Sequence, residues 1–376
     1  MKLFHMSDLH LGKRVNEFSM IEDQKFILKE ILTIINKEMP DGVIIAGDVY
    51  DRSVPSEDAM KLWDDFLISL AEKRIPVFAI SGNHDSAIRF SDHGELVDAT
   101  GIHLAPVYDG NIKKYQLSDK DSIVNIYMLP FIKPATVRSI FPNEEISSYT
   151  DACRVALSQV NVNKDETNIL IAHQFVTGAA RCDSEEVVVG GLDNVDASIF
   201  DDFDYVALGH IHGKQKIGRD TVRYCGTPLK YSFSEKDHAK SITVVEIGNK
   251  GEISIREIPL KPRHDLREIR GTYDELTARE NYENTATDDY IHAVLTDEND
   301  IVDAMGKLRV IYPNIMKLTY DNKRTRTQQV ISDAEDIEKK TPIELFEELY
   351  EKQNNASMSE EQRKFTIACI ESVWEA

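Results

Sequence analysis

Five short apolar runs in this chain each hand over, at their carboxyl ends, to side chains that can ligate a metal ion. Lys2-Leu3-Phe4-His5-Met6 leads to Asp8 and His10, Val43-Ile44-Ile45-Ala46 to Asp48 and Asp51, and the run 75–80 to Asn83, His84 and Asp85. The run 168–172 leads to His173, and 205–208 to His210 and His212. Runs of this length bounded by turn residues have the pattern of buried strands. Between the first three lie helical stretches. Ile27, Leu28, Ile31, Leu32 and Ile35 recur at helical spacing before Pro40. A second helix over 56–73 begins at Pro55-Ser56 and is expected to turn Leu62, Phe66, Leu67 and Leu70 inward, with Trp63 off that stripe. Strand, loop and helix in alternation predict an α/β layer architecture.

Farther on, Asp109-Gly110 predicts a tight turn, hence a hairpin between 102–108 and 112–117. A strand is expected over 123–129, a helix over 151–160, and a hairpin joining 241–247 to 253–258 through Asn249-Lys-Gly251. Beyond Pro262 the ligand-type residues thin out. Two strands, 290–295 and 315–319, flank a helical stretch, 301–310. The expected organisation is a catalytic domain over 1–259, a small accessory domain over 260–325, and a polar linker with C-terminal helices over 326–376. Residues 331–376 carry 12 acidic against 5 basic side chains. They also hold Leu345, Phe346, Leu349, Phe365, Ile367, Ile370, Val373 and Trp374, too apolar a set for a free acidic tail. These helices should cover their apolar side, against a partner or against this chain's own domains.

A formal net charge of −21 argues against a general nucleic-acid coat, whose affinity comes from neutralising phosphates. It does not argue against a nucleic-acid enzyme, because bound cations and local patches reverse the local field. The sequence has no run of about 18 apolar residues, so no membrane span is expected. The opening residues lack a signal-peptide pattern, and Cys153, Cys182, Cys225 and Cys369 form no CxxC pair, which points to the cytoplasm.

Taken singly, the strand-end residues have ordinary readings as turn residues, helix caps or buried structural histidines. His210-x-His212 between two glycines is sharper, since neutral imidazoles at alternate positions suit first-row transition metals. Together, Asp8, His10, Asp48, Asn83, His173, His210 and His212 make a mixed set suited to manganese, iron or zinc more than to magnesium. With one carboxylate shared, Asp48 being the candidate, such a set holds two cations. Paired cations in phosphoesterases sit about 3.5–4 Å apart, activate water and neutralise charge on the phosphoryl oxygens. Lys13, Arg14, Arg52 and Arg89 lie near these loops and are candidates to meet phosphate.

The series Asp8-x-His10, Gly47-Asp48-x-x-Asp51, Gly82-Asn83-His84-Asp85, His173 and Gly209-His210-x-His212 resembles the calcineurin-like metallophosphoesterases. Ser7-Asp-Leu-His-Leu-Gly12, Ala172-His-Gln-Phe-Val-Thr-Gly-Ala179 and Gly226-Thr-Pro-Leu-Lys-Tyr-Ser-Phe-Ser234 resemble, more narrowly, the SbcD family of bacterial DNA-repair nuclease subunits. The resemblance implies a β-sandwich flanked by helices, with a small α+β capping domain and C-terminal helices. It implies two Mn2+ ions, with Mg2+, Fe2+ or Zn2+ as substitutes. Asp8, His10, Asp48 and His212 would hold one ion, and Asp48, Asn83, His173 and His210 the other. His84 would act beside the scissile phosphate, Asp85 would orient its imidazole, and Asp51 would give outer support. The implied activity is double-strand 3′-5′ exonuclease and single-strand or hairpin endonuclease action on DNA. The implied assembly is a homodimer joined to a coiled-coil ATPase of SbcC type in a heterotetramer. A phosphomonoesterase or cyclic-nucleotide phosphodiesterase of the same superfamily is the alternative within catalysis. A non-catalytic, metal-stabilised scaffold for an ATPase is the alternative outside it.

Overall fold

The structure is a computed structural model that describes residues 1–90, 98–118, 123–185, 193–323, 325, 341–354 and 357–374. The chain begins with β1 (Lys2–Met6), a short hairpin of β2 (Arg14–Val15) and β3 (Phe18–Ser19), α1 (Ile21–Glu38), β4 (Gly42–Ala46), α2 (Glu57–Glu72), β5 (Val77–Ile80) and β6 (Ile102–Ala105). It continues with β7 (Lys113–Ser118), β8 (Ile123–Leu129), β9 (Thr167–His173), β10 (Tyr205–Gly209), β11 (Gln215–Ile217), β12 (Arg219–Tyr224), β13 (Ser241–Ile247) and β14 (Ile253–Pro259). The last strands are β15 (Leu266–Gly271), β16 (Tyr290–Leu295) and β17 (Ile315–Tyr320).

Two six-stranded sheets, ordered β14-β13-β1-β4-β5-β6 and β11-β12-β10-β9-β8-β7, face each other. Leu3, Ile44, Phe78 and Val245 of the first meet Ile126, Ile169, Ile171 and Tyr205 of the second in the seam. Their outer faces are covered by helices. α1 and α2 pack on the first sheet through Ile27, Ile31, Phe66 and Leu70, and the helix Tyr149–Ser158 packs on the second through Ala152 and Ala156. The central strands β1, β4 and β5, like β9 and β10, are parallel and buried on both faces, hence their predominantly apolar sequences, in which buried His5 is an exception held by Tyr205.

Two local expectations are corrected. β6 and β7 form no hairpin: β6 runs parallel to β5 in the first sheet, whereas β7 runs antiparallel to β8 in the second. Asp109-Gly110 therefore lies on a crossover between sheets. The tell is in the patterning, since β7 alternates exposed and half-buried residues as an edge strand does, while Ile102, Leu104 and Ala105 of β6 are buried. On α2 the inward stripe is Ala59, Trp63, Phe66, Leu67 and Leu70, with Leu62 only partly covered. Trp63 stacks on Phe90, a partner far enough along the chain to escape a helical-wheel argument.

The small unit is a three-stranded parallel sheet, β15-β16-β17. One face carries its own core of Leu276, Ile291, Leu295 and Leu308. Leu266, Tyr290 and Met316 turn the other way and join the core of the first sheet. The helices Pro342–Asn354 and Glu360–Trp374 pack on each other, with Arg363 paired to Glu347 at 2.7 Å and Gln362 donating to Tyr350 at 3.1 Å. Phe346, Leu349 and Phe365 remain exposed. The linker expected over 326–340 and the side chains of Val373 and Trp374 lie outside the described residues. Among the described residues no helix is long and apolar enough to cross a membrane.

Candidate metal centre

Register brings the five exit loops together. Met6 pairs with Ile45, Ala46 with Ile80, and His173 with Gly209, so the carboxyl ends of the parallel strands finish side by side. The crevice outside those ends is where open parallel sheets bind ligands. The loops after β1 and β4 then zip to each other: Asp8 N–H donates to the Gly47 carbonyl at 2.9 Å, His10 N–H to Asp48 at 3.0 Å, and Leu11 N–H to Val49 at 2.8 Å. Within them Asp8 (φ 53°), His10 (φ 43°) and Asp48 (φ 50°) take left-handed backbone, as does His210 (φ 100°) in the loop after β10. Such conformations cost of order 1–3 kcal/mol each in a side-chain-bearing residue and collect where function dictates geometry. Gly82 is required by contact more than by turning. A Cβ there would lie 2.0 Å from Asp48 Oδ1 and 2.5 Å from its backbone nitrogen.

All seven expected ligands converge. His10 Nε2 and His212 Nε2 lie 3.0 Å apart, and these imidazoles with Asp8 present ligand atoms within 4.8 Å of one another. Asp48, His173 and His210 form a second such group. Asn83 Oδ1 lies 3.0 Å from both His173 Nε2 and His210 Nδ1. Asp48 stands between the groups, its Oδ2 3.3 Å from His173 Nε2 and 3.8 Å from His10 Nε2. Bare imidazole nitrogens aimed at one another and at carboxylate oxygens fit a divalent-metal site. His10 Nδ1 is itself buried with no hydrogen-bond partner.

Outer contacts fix which ring nitrogen faces inward. His173 Nδ1 donates to the Ala46 carbonyl at 2.8 Å, leaving Nε2 for the site. His212 Nδ1 donates to Ser184 Oγ at 2.7 Å, whose hydroxyl passes to Glu235 at 2.6 Å. Burial works to raise the Glu235 carboxyl pKa, but His212 and Lys240 outweigh it and hold the group well below its usual range. Ser184, Glu235 and Lys240 were not singled out from the sequence. Glu235 directly follows the segment 226–234 and Lys240 lies just beyond it, whereas Ser184 carries no signal in the sequence.

Burial lifts the Asp8 carboxyl to about 6, helped by the neighbouring Asp48. Burial would lower His173, yet Asp48 and Asp8 outweigh it and raise the imidazole to about 9. His10 and His210 are pushed well below their usual value, chiefly by burial. A cation entering at neutral pH would therefore have to displace the proton of His173, and below the Asp8 value of about 6 that of Asp8 as well. Protons compete with metal, so apparent affinity should rise with pH, by about tenfold per unit between the two values and more steeply beneath the lower one. Calorimetric Mn2+ titrations from pH 5 to 9 test this, and a flat profile would refute the assigned protonation.

One expected contact is corrected. Asp85 does not orient His84. Its carboxylate accepts from the N–H groups of Gly82 (2.9 Å), Tyr50 (2.9 Å) and Val49 (3.1 Å), stapling the loop after β5 to the loop after β4. His84 is held by Asp51, through the backbone: its Nδ1 donates to the Asp51 carbonyl at 2.9 Å. The Asp51 carboxylate pairs with Lys13 at 2.8 Å and lies 3.8 Å from His10 Nδ1. The His84 side chain keeps 15% of its surface exposed, with Nε2 3.9 Å from Asp48 Oδ2, so it stands at the mouth of the site. Of the basic candidates, Lys13 is engaged by Asp51, the Arg14 guanidinium donates to the Glu17 carbonyl, and Arg52 and Arg89 are exposed.

The chain matches the family described as calcineurin-like phosphoesterase over residues 1–214. Residues 262–354 match the family described as type 5 capsule protein repressor C-terminal domain (SbcD_C). A Staphylococcus epidermidis protein, named as the SbcD subunit of the SbcCD nuclease, is 35% identical over 323 residues, 85% of each chain. Among solved structures, a dimetal phosphatase of Danio rerio aligns with TM-score 0.40 at 14% identity, over 70% of this chain and 98% of its own. A Thermus thermophilus protein aligns with TM-score 0.38 at 10% identity, over 68% and 98%. These structural likenesses are too loose to bear on activity. The sequence matches are not, and they meet a site already built for divalent metal: the chain belongs to the SbcD family of calcineurin-like metallophosphoesterases and is a metal-dependent hydrolase of the nuclease type.

Proposed function

We propose that this chain cleaves DNA with two Mn2+ ions, as a 3′-5′ exonuclease on double strands and an endonuclease on single strands and hairpins, in a complex with an SbcC-type coiled-coil ATPase. The observation that carries the reading is Asp48 standing between two groups of ligand atoms, with the His84 imidazole beside it at the mouth. Asp8, His10, Asp48 and His212 would hold one cation, and Asp48, Asn83, His173 and His210 the other. When bound, the pair supplies a water of lowered pKa and neutralises charge on the phosphoryl group. The protein's own part is orientation and proton transfer. His84 Nδ1 is committed to the Asp51 carbonyl, so Nε2 is the atom that would serve a leaving 3′ oxygen. Exposed Arg52 and Arg89 would meet the phosphate backbone, which offsets the overall acidity locally.

The domain reading is 1–259 for catalysis, 260–325 for capping the DNA, and 326–376 for the linker and partner-binding helices. Exposed Phe346, Leu349 and Phe365 support a partner for those helices, since large apolar side chains left uncovered after two helices have packed together favour another surface. The assembly would be a homodimer with two ATPase subunits. A phosphomonoesterase needs neither such helices nor a second sheet domain. Purified protein with Mn2+ should cut a DNA hairpin at least tenfold faster than a chromogenic phosphomonoester, and faster again with the ATPase. The reverse preference would hand the site to the smaller substrate.

A further inference from the structure

α1 is an ordinary amphipathic helix except in its first turn, where two consecutive polar residues, Asp23 (2% exposed) and Gln24 (1%), are buried. They face different neighbours. Gln24 is spent on the loop that carries His10. Its Nε2 donates to the His10 carbonyl at 2.7 Å and its Oε1 accepts from Gly12 N–H at 2.9 Å. The same amide lies 3.0 Å from the Tyr231 hydroxyl, which donates to the Leu9 carbonyl at 2.6 Å. One side chain thus spans the left-handed bend at His10, whose conformation no residue there favours by itself. Asp23 is spent on the small domain. Its Oδ2 accepts from the Tyr290 hydroxyl at 2.6 Å, at the start of β16, and its Oδ1 faces His264 Nδ1 at 2.9 Å, in the segment entering β15.

We infer that Gln24 is a positioning residue for the His10 ligand loop, and that Asp23 beside it makes the grip of that loop depend on how the small domain is seated. The two bonded sets share a single helical turn, so a shift of β16 that pulls on Asp23 also pulls on Gln24. A purely local packing role would need neither adjacency nor two acceptors reaching two segments of another domain. Docking of the small domain on a ligand would then be felt at the cation position formed by Asp8, His10 and His212. The inference rests on the metal reading of the site, not on the identity of the substrate.

The test uses the full chain and Mn2+ titrated by calorimetry, with melting temperature as the check on folding. Gln24→Met should raise Kd at one of the two Mn2+ positions by about tenfold, the usual reach of an outer-contact loss, and leave the other alone. Tyr290→Phe, which deletes one hydroxyl on the far domain, should weaken that same position by about threefold. The double variant should lose no more than Gln24→Met alone, because the hydroxyl acts through the glutamine. If Gln24→Met fails to fold, Asp23→Asn with Tyr290→Phe gives the same cycle, again with losses that do not add. Unchanged Mn2+ affinity in folded Tyr290→Phe, or losses that add, would overturn the inference. Wild type that binds two Mn2+ but cuts no DNA would instead remove the nuclease reading and leave this one standing.

Discussion

Asp48→Asn should abolish cleavage and empty both cation positions. The substitution keeps an oxygen for the His84 N–H that now donates to Asp48 Oδ1 at 3.0 Å, so the loop can hold its shape. It removes the negative charge shared by the two ligand groups and points amide protons at the site. Burial alone would raise the Asp48 carboxyl, yet the surrounding His173, His84 and His10 hold it well below its usual value, so it is the anion around which the histidines are arranged. Cation stabilisation of a phosphoryl transition state is worth several kcal/mol, and each 1.4 kcal/mol is tenfold in rate, so a loss of about a thousandfold or more is expected. Calorimetric counting of bound Mn2+ alongside hairpin cleavage checks it. Two ions bound at unchanged affinity would mean that Asp48 is not shared.

His84→Gln should separate binding from chemistry. The His84 ring makes no part of the two groups that hold Asp8, His10, His212 and Asp48, His173, His210, and its tie to the Asp51 carbonyl is one a glutamine amide can replace. Both Mn2+ ions should still bind, while cleavage falls by about 10²–10⁴, the usual worth of a positioned proton donor. Retained activity would show that His84 transfers no proton. Loss of one ion would make it a ligand, a role for which its ring, within 4.8 Å of His10 and Asp48, is close enough to be worth testing.

Much of the site was legible because the chemistry sits where strands end, and strand ends are what apolar runs announce. Asp8, Asp48, Asn83, His173 and His210 could each be placed by counting from a buried run, and parallel register then does the gathering. What was not legible depends on partners far along the chain. The sequence offers no sign that Asp8, His10 and Asp48 adopt left-handed backbone, because that is enforced by bonds between two loops about forty residues apart. Asp85 reads as a natural companion for adjacent His84, yet three backbone N–H groups claim its carboxylate. The Asp109-Gly110 turn is real chemistry put to another use, since the strands it separates belong to different sheets. Asp23 and Gln24 look like the solvent face of a helix start until β16 and the His10 loop are seen closing over them.

The place of β1 has a consequence for how such an enzyme comes into being. It lies between β4, which follows within about forty residues, and β13, which pairs Lys2 with Glu246 and Phe4 with Val244. On the ribosome the first strand therefore waits with one edge open until β13, ending at Ile247, has emerged. All seven expected ligands, His212 the last of them, have been synthesised by then, but the sheet beneath Asp8 and His10 has not closed. A polypeptide ending before Ser241 would carry all seven expected ligands while β1 stayed paired along one edge only, and is expected to bind Mn2+ more weakly than the full chain.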